Sequence, residues 1–386
     1  MIEPAGRMDN LNQLFFANQG RTIQKMQKSG VDVIRLDVGS PDMPPSESII
    51  DKLILHAKNK DEHGYQPHKG TNNLREAWAS MYKREYNVNL DPETMVLPLL
   101  GSKEGIFNLT QSFINKGDVV LVPDPAYLTY EQAALFAGGE VVKLPLSPEN
   151  HYLPDLEQLD TVFLERSKLF WLNYPNNPTS ATASNDFFKK IIESAVEHKF
   201  ILCHDAAYTQ VLDDNSTAPS ILDCEYGIDV SVEFNSLSKS HNMAGWRSGA
   251  VVGNPAAISN FYKLKTNIDS GHFKPIIEAS VEALTGDQQW RTARNEKYRQ
   301  RREVVISYLH KMGLRPFISG ATLYVWCPVP GGRRSDDFVN SALENTGVSF
   351  TPGTVFGKNG EGFIRIALVQ TLARIVEAME RLQNWI

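Results

Sequence analysis

The chain has 386 residues, more than one hydrophobic core supports, so two structural domains are expected. With 42% hydrophobic and 22% charged residues, its composition is neither disordered nor fibrous. A net charge of -6 argues against a general nucleic-acid or anionic-membrane surface and leaves room for a local basic pocket that takes a small anion.

In chain order, residues 9 to 29 suit a first helix, and VIRLDVGSPDMPP reads as a short strand breaking into a Gly/Pro loop at Gly39 to Pro45. From about residue 46 to 275, strand-like and helical runs alternate. They are MVLPL, a helix over 103 to 115, VVLV, a helix over 127 to 137, EVVKL, KLFWLNY, a helix over 184 to 198, FILCHD, VEFNSL and GAVVG. This alternation predicts an α/β fold with a mostly parallel mixed sheet sandwiched by helices. After about residue 285 a charged helical stretch, QWRTARNEKYRQRREVVISYLHKMG, leads into ATLYVWCPVP, SDDFVNSALENTG, VSFTPG, FIRIAL and a closing helix. This part reads as a smaller α+β domain. The basic cluster from Arg291 to Arg302 interleaves with Glu296 and Glu303 and reads as a solvated helix face. The expected division is residues 1–45 as an N-terminal arm and part of the small domain, 46–284 as the large domain, and 285–386 as the remainder of the small one.

Cys203, Cys224 and Cys327 stand far apart with no CxxC pair and read as reduced, mostly buried thiols. The first residues lack an apolar signal core, and nowhere do 18 apolar residues run together. A cytoplasmic protein without a membrane span is expected. The histidines lack carboxylate or cysteine company at metal-ligand spacing, so no metal is expected.

Loops after the carboxyl ends of strands in an open α/β sheet are where ligands bind. Five polar motifs follow strand-like runs here and should converge on one edge: GSKEG, PDPAY, NYPNNPTSA, HDAAY and SLSKSHNMAGWR. Within the last, Lys239 is the side chain whose amine condenses with an aldehyde, and desolvation beside Arg247 would make it nucleophilic. The hydroxyls of Ser236 and Ser238 and the fork of Arg247, eight residues beyond Lys239, suit a phosphate. Gly101-Ser102-Lys103 opens a helix, where free N–H groups and the helix dipole favour the same group. The spacing of a nucleotide-hydrolysing phosphate loop is absent. Asp205 emerges from a buried strand, as a helix N-cap also would. Arg365, in the apolar run FIRIAL, needs an anionic partner, either a structural carboxylate or a ligand.

In these motifs the sequence resembles the fold-type I pyridoxal-phosphate enzymes, the class I and II aminotransferases, whose S-x-x-K and G-x-R-x-G segments carry the cofactor. The resemblance runs from about residue 9 to the end and takes in, in family order, DVGSPDMPP, GYQPHKGTNNLREA, GSKEG, PDPAYLTY, NYPNNPTSA, HDAAY, SLSKSHNMAGWRSG and FIRIAL. It implies the fold-type I large domain, pyridoxal 5'-phosphate held covalently by Lys239, and Asp205 on the pyridine nitrogen. It further implies Tyr208 and Asn177 on the phenolic oxygen, Tyr127 stacked on the ring, and Ser102, Lys103, Ser236, Ser238 and Arg247 about the phosphate. Arg365 and Gly39, with Asn177, are implied at the substrate's α-carboxylate. Tyr65, in HGYQPHKG, matches a tyrosine that reaches the neighbouring subunit's phosphate, which implies a homodimer with shared active sites.

Within the group, the N-terminal stretch is most similar to the LL-diaminopimelate, alanine and aspartate branch, with an L-amino acid as donor and 2-oxoglutarate the expected acceptor. Two departures bear on the substrate. The segment Leu11 to Phe16 lacks the P-x-Y element of relatives, and Ser180 stands where NNPTG has a glycine. Phe15, Phe16, Asn267, Ser270 and His272 are candidates for side-chain recognition. A C–S or other β-lyase uses the same lysine and the same electron sink and is the first alternative; a non-catalytic amino-acid-binding homologue is the second.

Overall fold

The computed structural model describes residues 2–11 and 15–386. Among these the strands are β1 (Ile34–Arg35), β2 (Val96–Leu99), β3 (Val119–Asp124), β4 (Glu140–Pro145), β5 (Ser167–Leu172), β6 (Ile201–Asp205), β7 (Ser231–Ser236), β8 (Gly249–Gly253), β9 (Tyr324–Pro328), β10 (Val348–Ser349), β11 (Thr351–Pro352) and β12 (Phe363–Ala367). β2 to β8 form one sheet in the order β2-β8-β7-β6-β5-β3-β4. The pairs from β4 across to β7 are parallel, and β8 runs antiparallel to both β7 and β2. β2 therefore points the same way as β7, and the loop after it opens on the same edge as the loops after β3, β5, β6 and β7.

These strands read as unbroken apolar runs because both faces of the sheet are covered. Side chains alternate between the faces. Val119 and Leu121 of β3 pack with Trp78, Phe188 and Ile277, from the helices Asn72–Tyr86, Asn185–His198 and Lys274–Thr285. Val120 and Val122 pack with Ile106, Tyr130 and Phe261, from Ser102–Phe113, Thr129–Ala137 and Pro255–Lys265. The alternation predicted from sequence is thus a mixed, mostly parallel sheet between two helical layers. The sequence reading did not separate helices Glu47–Ala57 and Asn72–Tyr86; both pack on Lys274–Thr285.

A second core is built on the antiparallel sheet β11-β12-β9 and the helices Trp290–Lys311, Ser335–Thr346 and Leu372–Trp385. β1 pairs with β10 in parallel, Ile34 opposite Val348, so the start of the chain is tied to its last hundred residues. The expected first helix is shorter than read: a 3-10 turn occupies Gly6–Asn10 and the α-helix covers Phe15–Lys28.

One expectation is overturned. The arginine-rich helix Trp290–Lys311 is not a solvated face, because Arg294, Arg301 and Arg302 are buried. They lie with Tyr298, Val305 and Leu309 on the stripe that faces the protein. Each head group finds partners in a facing loop. Arg301 forks onto both oxygens of Asp42 at 2.7 and 2.8 Å, Arg302 reaches Asp213 at 3.0 Å, and Arg294 donates to the carbonyl of Gln210. Counting charge along the sequence does not reveal partners supplied by distant loops. Cys203, Cys224 and Cys327 are all buried and free. No described helix is long and apolar enough to cross a membrane.

Candidate active site

All five polar motifs meet at the carboxyl edge of the large sheet, around a cavity of about 330 Å³. Of the residues singled out from sequence, Gly39, Ser102, Lys103, Tyr127, Asn177, Asp205, Tyr208, Ser236, Ser238, Lys239, Arg247 and Arg365 line it. Tyr65 does not; its side chain stands 95% exposed in the loop before helix Asn72–Tyr86.

Lys239 lies in the short helix Leu237–Ser240, which is N-capped by Ser236 through a bond from the Ser238 amide at 3.2 Å. Its Nζ donates to the carbonyl of Gly39. Burial pulls its pKa below the ordinary lysine range, Tyr324 opposes that shift, and Arg365 and Arg247 add to it. A larger share of neutral amine follows. A Cβ at Gly39 would overlap the Tyr324 hydroxyl, so this backbone approaches closely only because the position is glycine.

One end of the cavity is an anion cradle. Helix Ser102–Phe113 starts at Gly101 without a side-chain cap, leaving the N–H groups of its first turn directed outward. Gly101 has φ 83°, and a Cβ there would overlap the Arg247 guanidinium. Arg247 Nη1 donates to the carbonyl of Ala244 at 2.8 Å and to Ser238 Oγ at 3.4 Å. Burial and the nearby Arg247 together lower the pKa of Lys103. Two cations, three serine hydroxyls and a helix N-terminus thus surround one small volume, and Asp205 is the one carboxylate among the described residues that line it.

Asp205 ends β6, deep in the cavity. Tyr130 donates to its Oδ2 at 2.8 Å, and Tyr130 is itself stacked at 5.0 Å on Trp171. Asp205 Oδ1 is buried without a hydrogen-bond partner among the described residues. Burial pushes this carboxyl up to about 6, against the pull of Tyr130 and His204. A buried carboxylate oxygen with no donor calls for a cation or an N–H. Asn173 holds the surrounding backbone: its Nδ2 donates to the Asp205 carbonyl at 2.6 Å, and its Oδ1 accepts from the Asn177 amide at 2.7 Å.

At the opposite side, Arg365 of β12 is buried, with its guanidinium 4.2 Å from the Tyr324 ring centre and 4.8 Å from that of Phe356. It donates to Asn177 Oδ1 at 2.8 Å and to the Asp37 carbonyl at 2.7 Å. Because Asn177 spends its oxygen on Arg365, its Nδ2 is the atom left to face the cavity. The Tyr208 and Tyr324 hydroxyls share a hydrogen bond of 2.9 Å.

Sequence reasoning missed Tyr130, Asn173 and Tyr324. Tyr130 is one helical turn beyond Tyr127, and Asn173 adjoins the motif already marked. Tyr324 looks like core in ATLYVW, where its hydroxyl was the one available signal. Among the described residues, none of the candidates for side-chain recognition lines this chain's own cavity. Phe15 packs against the large core, Asn267 is exposed, and neither they nor Ser270 line the cavity. His272 is turned onto the Arg247 carbonyl at 2.8 Å. The side chain of Phe16 and all of Asn12, Gln13 and Leu14 lie outside the described residues. Val38, Leu128, Thr129, Ala207, Ala244 and Phe356 also line the cavity.

Pyridoxal phosphate, implied by the resemblance, fits three of these features: the unpartnered Asp205 oxygen for a protonated ring nitrogen, the glycine-floored cationic cradle for a phosphate, and the depressed lysine between them for an aldehyde. The family profile described as "Aminotransferase class I and II" matches residues 31–382. The chain is 43% identical over 383 residues to the LL-diaminopimelate aminotransferase of Halothermothrix orenii, covering 99% of this chain and 98% of the relative. It is 41% identical over 384 residues to that of Aquifex aeolicus, covering 100% and 99%. Among solved structures, substrate-bound BacF from Bacillus subtilis superposes with a TM-score of 0.95 at 35% identity, covering 100% of this chain and 98% of that one. A probable N-succinyldiaminopimelate aminotransferase from Thermus thermophilus does so with 0.91 at 32%, covering 96% and 100%.

Proposed function

The chain belongs to the class I and II aminotransferases, transaminases that depend on pyridoxal phosphate, and from that premise we propose that it moves the amino group of LL-diaminopimelate to 2-oxoglutarate in the cytoplasm. The observation that carries the reaction is the meeting of Lys239, Asp205, Arg247 and Arg365 in one cavity. The donor rests on full-length likeness to relatives of that name; alanine and aspartate are the donors to compare.

When bound, the cofactor supplies an aldehyde that takes up the amine and a ring that accepts the electron pair left by the Cα–H bond. Lys239 would hold the aldehyde end. Its Nζ, deprotonated more readily than that of an exposed lysine, would take the proton from the substrate Cα. Asp205 would hold a proton on the ring nitrogen through Oδ1, with Tyr130 fixing the other oxygen. Tyr208 and Asn177 Nδ2 would face the phenolic oxygen, and Tyr127 the ring. Ser102, Lys103, Ser236, Ser238 and Arg247 would hold the phosphate, joined by Tyr65 from a second copy of the chain. Arg365 would take the α-carboxylate bidentately, beside Gly39 and Asn177. The small domain of residues 1–45 and 285–386 would then close the site that the large domain, 46–284, carries.

The test is a half-reaction screen of holoenzyme without an acceptor, following the visible band of the lysine-bound cofactor as LL-diaminopimelate, L-alanine, L-aspartate or L-glutamate is added. LL-diaminopimelate should bleach the band fastest, and 2-oxoglutarate should restore it. A band bleached by alanine or aspartate and not by LL-diaminopimelate overturns the donor. Ammonia released without an acceptor overturns transamination in favour of the lyase. Lys239→Ala should lack the band.

A further inference from the structure

Ser180 stands where a glycine would relieve the backbone, and its φ of 66° is left-handed nonetheless. Thr322, in the turn before β9, is left-handed too, with φ 63°. A β-branched residue there is a conformational outlier that its surroundings must over-determine. Both are buried and they touch.

Their hydroxyls share a hydrogen bond of 2.6 Å. Ser180 Oγ also donates to the Tyr324 carbonyl at 3.2 Å, and the Tyr324 amide donates to Thr322 Oγ1 at 3.1 Å. One proton arrangement satisfies all three, with the threonine donating to the serine. Arg302 seals the same turn from helix Trp290–Lys311, donating to the Thr322 carbonyl at 2.7 Å and the Tyr324 carbonyl at 2.6 Å. The two left-handed residues therefore join the loop after β5 to the turn before β9.

Each of those segments grips Arg365. Ser180 ends the loop that carries Asn177, and that loop is stiffened by Asn176, whose Oδ1 accepts from the Thr179 amide at 3.0 Å and hydroxyl at 2.8 Å. Asn177 Oδ1 takes one guanidinium nitrogen, while Tyr324 lies under the guanidinium plane. Among the described residues, the Ser180 hydroxyl ties one gripping side directly to the other, through Thr322 Oγ1 and through the Tyr324 carbonyl.

We propose that Ser180 is a positioning residue: with Thr322 it pins the Asn177 loop to the Tyr324 turn, so that Arg365 is held aimed at the α-carboxylate before substrate arrives. This rests on Arg365 being the carboxylate clamp. Amino-acid and 2-oxo-acid substrates share that carboxylate, so loss of the pin acts on both alike, as weaker binding with the chemical step retained.

The experiment compares holoenzyme carrying Ser180→Gly, Thr322→Ala, the double change and Thr322→Ser. Ser180→Gly removes strain together with the hydroxyl, which keeps the fold accessible. It should raise KM for donor and acceptor alike by about fivefold with kcat within about twofold, the scale of one hydrogen bond. Amide exchange over residues 174–183 and 319–326 should quicken about tenfold in both segments together. Thr322→Ala, which leaves the Ser180–Tyr324 bond, should shift the same readouts in the same direction and to a smaller extent, the double variant should be no worse than Ser180→Gly, and Thr322→Ser should behave as the parent. Unchanged exchange in Ser180→Gly, additive single effects, or a Thr322→Ser variant as impaired as Thr322→Ala each overturn the pin. Arg365→Lys separates the two readings: if it leaves both KM values at the parent level, the clamp reading falls, and the exchange rates alone decide the pin.

Discussion

Asp205 illustrates a residue whose burial costs stability. Its carboxyl is pushed up to about 6 from 3.8 in the cofactor-free protein, so ionised Asp205 disfavours the fold. The folded pKa lies above the unfolded one. The cost is therefore full above about pH 6, shrinks as pH falls through that value, and is gone below about pH 4. At full size it amounts to about 3 kcal/mol. Asp205→Asn should accordingly raise the melting temperature of cofactor-free protein at pH 8, raise it less at pH 5, and abolish transamination. Equal gains at the two pH values, read by thermal unfolding, would remove burial of the charge as the cause. The sequence marked Asp205 through its place at the end of an apolar run; Tyr130, which fixes one of its oxygens, was invisible because a tyrosine in PDPAYLTY reads equally well as core.

At the scale of elements, the anion cradle depends on how one helix begins. Gly101 sits at φ 83° and ψ 155°, a region open in practice to glycine alone, and it leaves the first turn of Ser102–Phe113 uncapped beneath Arg247. Gly101→Ala should cost on the order of 1–3 kcal/mol of strain and displace the guanidinium. Cofactor affinity, measured by equilibrium dialysis of pyridoxal phosphate, should weaken by about tenfold or more; parental affinity would show that the cradle tolerates the side chain. The strands and their loops were legible because buried parallel strands carry continuous apolar runs ended by polar motifs. The helix Trp290–Lys311 was misread for the complementary reason. Its buried arginines are matched by Asp42 and Asp213, hundreds and dozens of residues away in sequence, and helical periodicity carries no information about them.

At the scale of the whole molecule, Tyr65 is the residue that one chain leaves unused. Its ring is 95% exposed and outside the cavity, and the role proposed for it lies in a second copy's phosphate cradle. Tyr65→Phe should weaken cofactor retention about tenfold, the scale of a hydrogen bond to a charged group, and sedimentation should give a two-chain species; a monomer indifferent to the change overturns the shared site. The sequence by itself determined the layered α/β architecture and singled out Ser236, Ser238, Lys239, Arg247 and Arg365, which the fold brings to one cavity. These are carried by local patterns, namely apolar runs, glycines at backbone approaches, and polar clusters after strands. Only the tertiary structure decided which oxygen of Asp205 is left unpartnered, that Asn177 turns its amide oxygen to Arg365, and that Ser180 meets Thr322 across the site. Those outcomes depend on side chains from distant segments competing for the same few donors and acceptors, a competition settled by packing in three dimensions.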